Sequence, residues 1–180
     1  GTHYEGGMRT PFIGAWAESQ SQNPHQQSWS IPAGAIQSQI ASVCDLLPTI
    51  LELVELTPPA DHVVDGHTLR TLLSGRPDPG RSESFLMHYP HAPHRSDYWS
   101  SYREGRWKVI YHYFPSAASE DSHYQLFDLK QDPFEQHNLA GHQPVQLDRM
   151  MHRLVAALEA HEALYPVEED QSSHRRPQLP

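Results

Sequence analysis

The sequence predicts an α+β fold for the C-terminal part of the chain, a four-stranded antiparallel sheet packed by one long helix. Three observations carry that reading. The apolar period changes from 3.6 to 2 beyond a polar, Pro/Gly-rich stretch at residues 76–84. Glu104-Gly105 stands between two alternating runs and supplies a two-residue hairpin turn. Leu147, Met150, Met151, Leu154, Val155 and Leu158 recur at spacings of three and four, with Tyr165 continuing the stripe.

Taken in order, Glu5-Gly6-Gly7 reads as a turn, because paired glycines permit positive φ or close backbone approach. Glu5 and Arg9 flank it and can form a carboxylate–guanidinium pair that pins the loop. Phe12 to Trp16 is an apolar run too short for a helix and reads as a buried strand. Residues 18–30 are rich in Gln, Ser and Asn and read as an exposed loop. Asp45 is placed to cap a core helix with Leu47, Ile50, Leu51 and Val54 on one face, ended by Pro58-Pro59. Leu69, Leu72 and Leu73 suggest one or two further helical turns closed by Gly75.

Beyond residue 84, strands are expected at Phe85–Tyr89, Tyr98–Arg103, Arg106–Tyr113 and Tyr124–Leu129, the last closed by Asp132-Pro133. Short connections make the sheet antiparallel. Trp107, Val109, Tyr111 and Tyr113 fall on one face of their strand, and the helix that Pro144 opens is expected to cover one face of the sheet. The tail from Val167 is polar and expected to fray.

Composition narrows the function. Thirteen basic against 22 acidic residues give a formal charge of −9, with no basic stripe to neutralise nucleic-acid phosphates. No apolar run approaches the roughly 18 residues of a membrane helix. The single cysteine, Cys44, rules out an internal disulfide framework. It lies among Ile40, Val43, Leu46 and Leu47, so an inert buried thiol is expected.

The run Tyr4-Glu5-Gly6-Gly7-x-Arg9-x-Pro11 resembles the loop and strand of the sulfatase family, within the alkaline-phosphatase-like superfamily. Three further landmarks follow in that family's order. They are Asp45-Leu46-Leu47-Pro48-Thr49, Asp65-Gly66 with Leu72-Leu73, and Leu126-Phe127-Asp128-Leu129 followed by Asp132-Pro133-x-Glu135-x-x-Asn138-Leu139. Each is weak alone; their order over most of the chain makes the resemblance strong.

The resemblance implies an α/β class overall. Residues 1–78 correspond to the C-terminal end of a large mixed-sheet catalytic domain, 79–166 to a small C-terminal domain, and 167–180 to a flexible tail. It also implies that the remainder of the catalytic domain is the main partner and that the parent's substrate is a sulfated small molecule or glycan. Sulfatases use a formylglycine made within Cys/Ser-x-Pro-x-Arg, and a calcium ion that neutralises the sulfate oxygens. Cys44 is followed by Asp45-Leu46-Leu47, so no catalytic nucleophile is expected in these residues, and no metal site either. The chain alone is expected to be inactive. Alternatives are a phosphonate or phosphodiester hydrolase of the same superfamily, or a non-catalytic glycan-binding module.

The resemblance extends to His88-Tyr89-Pro90-His91, similar to a segment of some bacterial sulfatases. It implies substrate contacts from His88, His91 and Arg95, since imidazole and guanidinium can hydrogen-bond a sugar or a sulfate oxygen. His3 is a further candidate, beside the position that holds a sulfate-binding lysine in many relatives. Glu5, Gly6, Gly7 and Arg9 are then a structural loop behind the pocket. Plainer readings exist: His88 as a strand cap, and His91 and His94 as solvated loop residues. The spacing His88-x-x-His91-x-x-His94 also permits a zinc reading, though two intervening prolines remove the helical register that would converge the rings. Asp128, Asp132 and Glu135 read as turn residues.

Overall fold

The computed structural model describes residues 3–15, 29–91, 97–115, 123–168 and 173–180. The chain forms two compact units, one of Gly1–Thr10 with Ser84–Pro180 and one of Pro11–Glu83.

The first unit holds the predicted sheet. Strands β1 (Ser84–Tyr89), β2 (Trp99–Glu104), β3 (Trp107–His112) and β4 (Tyr124–Asp128) lie in that order, all antiparallel. The β2–β3 turn falls on Gly105-Arg106, one residue later than the sequence suggests, because Glu104 pairs with Trp107. Gly105 takes a φ of 56°, a left-handed value that favours glycine. Arg106 folds back on the Asp128 carboxylate with both Nε and Nη2, and its guanidinium lies 5.5 Å from the Trp107 ring centroid.

The side chains of a strand alternate, so the sheet has two distinct faces. One carries Tyr102, Val109, Tyr111 and Leu126, with Tyr113 just past β3, and packs against the helix Pro144–Ala160. That helix buries Leu147, Met150, Met151, Leu154 and Leu158, five of the predicted stripe, while Val155 stays partly exposed. Each buried side chain contributes on the order of 1.5–3 kcal/mol of transfer free energy before entropy is counted. The other face carries Trp99, Ile110 and Phe127, packed by Tyr4, Met87, Tyr89 and Leu129.

The free edge of β4 is closed by Asn138, whose side chain accepts from Leu126 N–H at 3.0 Å and donates to the Tyr124 carbonyl at 3.2 Å. The expectation of a frayed tail does not describe residues 173–180. Arg175 pairs with Glu168 at 2.9 Å and lies over Phe114, Arg176 lies over Tyr165, and Tyr124 Oη donates to the Gln178 carbonyl. Stacked guanidinium groups anchor a segment that composition alone marks as polar.

In numbering order the helices are α1 (Glu5–Met8), α2 (Leu46–Leu53), α3 (Arg70–Leu73) and α4, the Pro144–Ala160 helix above. The second unit holds α2 and α3. A 3₁₀ turn, Val43–Asp45, precedes α2, and Ser42 rather than Asp45 caps it, in a reciprocal box with the Asp45 carboxylate. Asp45 is instead the hub of the unit. It accepts from Ser42 and His67 N–H at 2.8 Å each and pairs with Arg81 at 2.8 Å. Arg81 also donates to the carbonyls of Ile40, His67 and Thr68. Burial raises the Asp45 carboxyl pKa, but the N–H bonds from His67 and Ser42 and the Arg81 guanidinium outweigh it and hold it below the carboxylate range.

Three expectations fail in this unit. Residues 11–15 form no strand and are exposed, since among the described residues no strand pairs with them. The apolar face of α2 is half open, with Leu47, Ile50 and Val54 exposed; its buried side is polar Thr49, which accepts from Leu69 N–H. Cys44 is exposed, because the 3₁₀ turn points Asp45 rather than Cys44 inward.

Candidate functional site

The sheet face opposite α4 receives residues 3–9. Glu5-Gly6-Gly7-Met8 forms a helical turn, α1, in which Gly7 and Met8 N–H both donate to the Tyr4 carbonyl. Neither glycine takes positive φ, and a Cβ at Gly6 would meet open space, so the pair does not form the expected left-handed turn.

The segment is held by Lys108, the second residue of β3, which is 1% exposed. Its Nζ donates to the His3 carbonyl at 2.6 Å and to Glu5 Oε1 at 3.2 Å, and pairs with Glu135 Oε1 at 2.7 Å. Arg103 from β2 donates to Glu5 Oε2 at 3.1 Å, and Glu5 N–H donates to Glu135 Oε2. The anticipated Glu5–Arg9 pair is long, at 3.9 Å, and its arginine is largely in solvent. Glu5 therefore spends its charge on Lys108 and Arg103, not on Arg9. Beside this knot, Tyr4, Glu5, Gly6, Arg9, Pro133, Phe134 and Glu135 line an open hollow of about 480 Å³.

His3 is buried, its ring 5.4 Å from Trp99 and 5.0 Å from His112. Trp99 stacks on Tyr89 at 5.7 Å, and Tyr89 meets the exposed His91 edge-on at 5.8 Å. A continuous line of rings thus joins two of the predicted site residues, His3 and His91, across the same sheet face. His112 is oriented by Asp97 at 2.8 Å and Gln125 at 3.1 Å, and Gln125 also bonds Tyr4 Oη.

His88 points to the other face. Its Nε2 lies 2.6 Å from the Leu164 carbonyl, which can only accept, so that nitrogen carries the proton. Its Nδ1 then accepts from Ser100 Oγ at 2.7 Å, and Ser100 in turn bonds Tyr113 Oη at 2.7 Å. Burial, opposed by the Leu164 carbonyl and reinforced by nearby His91, holds the His88 pKa below 6.5. Both ring nitrogens are taken up within the fold. Arg95 and His94 lie outside the described residues.

Sequence reasoning missed Lys108, Arg103 and Glu135 as site-forming residues, and assigned Glu135 to a turn. It does occupy one, at a φ of 55°, yet it is buried and charged. The available signal was a lysine between Trp107 and Val109 in an apolar strand run, since a buried lysine requires an anionic partner.

Over residues 2–163 the chain matches the family described as N-sulphoglucosamine sulphohydrolase, C-terminal. It belongs to that family, the C-terminal portion of a sulfatase. Among curated relatives, it is 29% identical to arylsulfatase D of Homo sapiens over 185 residues, covering 91% of this chain and 29% of that protein. The chain therefore spans less than a third of that relative's length. A protein solved with its substrate D-glucosamine-2-N,6-O-disulfate shares the fold at a TM-score of 0.59 and 24% identity, over 74% of this chain and 27% of that one. The phosphonate monoester hydrolase of Agrobacterium radiobacter shares it at 0.50 and 20% identity, over 78% and 30%.

The described residues do not fit a calcium site, and the sequence around Cys44 does not fit a formylglycine. Among the described residues no group of three or more His, Cys, Asp or Glu side chains converges as metal ligands. Cys44 stands before Asp45-Leu46-Leu47, without the proline and arginine of the modification motif.

Proposed function

We propose that the parent of this chain hydrolyses sulfate esters and that these 180 residues form one wall of its substrate pocket rather than its reacting centre. The match to a sulfatase C-terminal family over residues 2–163 carries this reading. On it, residues 1–78 belong with a catalytic domain whose remainder supplies the formylglycine and the calcium ion. The exposed apolar side chains Phe12, Ile13, Leu47 and Ile50 support such a partner, because exposed large apolar groups call for a cover.

His3 and His91, joined through Tyr89 and Trp99, are the proposed substrate-facing groups, and Arg95, four residues after His91 in sequence, is proposed with them. His88 contributes by holding the end of β1 from which the His91 segment departs. Imidazoles on an aromatic bed suit a sugar ring carrying an anionic group, which they can meet by hydrogen bond and stacking. Glu5, Gly6, Gly7 and Arg9 form the structural loop behind them.

The test is to assay the full-length gene product and the 180-residue chain against an aryl sulfate and an aryl phosphonate monoester. The parent is expected to turn over the sulfate and the chain neither. Turnover of the phosphonate alone would replace the reading with its superfamily alternative. Binding of a sulfated glycan by the chain alone, with an inactive parent, would make it a binding module.

A further inference from the structure

We infer that Lys108, clamped between Glu5 and Glu135, is a positioning residue that sets the backbone at Tyr4 and thereby the ring of His3. This role rests on the sulfate-ester reading of the parent. Lys108 meets three oxygens: it donates to Glu5 and to the His3 carbonyl and forms an ion pair with the Glu135 carboxylate. Two are carboxylates, which with Arg103 balance the buried charge. The third is neutral, and an ion pair does not require it.

That third bond is informative together with its counterpart. The His3 carbonyl and the Glu5 N–H flank Tyr4, one held by Lys108 and the other by Glu135. One Lys–Glu pair therefore grips the main chain on both sides of a single residue. The consequence reaches the rings. Tyr4 is aimed at Phe127 and Gln125, and His3 at Trp99 and His112, on the line that leads to His91. An apolar pair at positions 108 and 135 would fill the same space with equal or greater stability, because buried ion pairs are costly to desolvate. It would hold neither main-chain group. Stability and positioning are thus separable here.

The experiment compares Lys108→Met with Lys108→Met/Glu135→Leu in the full-length parent, with aryl sulfate as substrate. The double variant removes one positive and one negative charge and leaves the Glu5–Arg103 pair in place. The single variant is expected to lower Tm by about 5 °C or more. It is also expected to cut kcat by roughly tenfold or more, as small displacements of positioned groups do. The double variant is expected to recover Tm while kcat stays low, with amide exchange at residues 3–9 faster than in the wild type. Recovery of both Tm and kcat overturns the role and leaves the knot purely structural.

If the double variant does not fold, Glu135→Gln keeps the shape and the acceptor for Glu5 N–H while weakening the grip on Lys108. Faster exchange at residues 3–9 in that variant, with the rest of the chain unchanged, supports positioning, and unchanged exchange there overturns it. A wild-type parent inactive on aryl sulfate sinks the sulfate-ester reading alone, because the exchange measurement requires no substrate.

Discussion

Two residues turn composition into testable chemistry. Asp45 carries the second unit through one buried carboxylate facing one buried guanidinium. Asp45→Asn strands Arg81 without its counter-ion, and removal of one partner of a buried pair costs about 3–5 kcal/mol. Denaturant unfolding should show a loss of that size, and a change under 1 kcal/mol would mean that Arg81 finds another anion. The Asp45 carboxyl is depressed in the fold, so its stabilisation is complete above the ordinary value of 3.8 and is lost as pH falls through the lower folded value. His88 behaves in the opposite charge sense. Burial favours its neutral form, so the unfolded chain binds the extra proton, and stability declines as pH falls below 6.5 toward the folded value. Its ring signals in an NMR titration should therefore show a midpoint below 6.5, and a midpoint above it would contradict the burial of the ring.

At the scale of elements, the sheet and α4 stabilise each other. Leu154 is fully buried on α4 against the face formed by Val109, Tyr111 and Leu126. Leu154→Ala should cost about 2–5 kcal/mol, while Val155→Ala, at a partly exposed position one residue on, should cost under about 1.5 kcal/mol. Equal losses at both would contradict the packing described here. The contrast also marks how far periodicity reached. The stripe located α4 and its inward side, because a helix must present one face to its support. It did not locate the polar inward face of α2, where Thr49 and Asp45 bond to Leu69 and His67, 20 and 22 positions away. Such bonds leave no period to read. The hairpin was legible for the same reason as α4, with an error of one residue that pairing register decided.

For the whole molecule, charge and surface point in different directions. A net charge of −9 favours solubility, yet Pro11–Glu83 exposes Phe12, Ile13, Ile36, Val43, Leu47, Ile50, Leu56 and Val63. The isolated 180-residue chain is expected to bind a hydrophobic dye and to self-associate at micromolar concentration, and the full-length parent to do neither. A monodisperse, dye-free preparation of the chain alone would remove the surface argument for a covering catalytic domain.

The sequence by itself determined the class of fold: alternation, a helical stripe and turn residues are local, and local rules suffice to build four strands and one long helix. It also determined the family, through short motifs in a constant order. Only the tertiary structure decided what those motifs hold. Glu5 and Glu135 lie 130 positions apart in the chain, and nothing near either announces that Lys108 binds both. In sequence the nearest arginine to Glu5 is Arg9, yet burial selects partners by distance in space. Charges taken out of water must meet there, and so the loop's meaning lies in the strand beneath it.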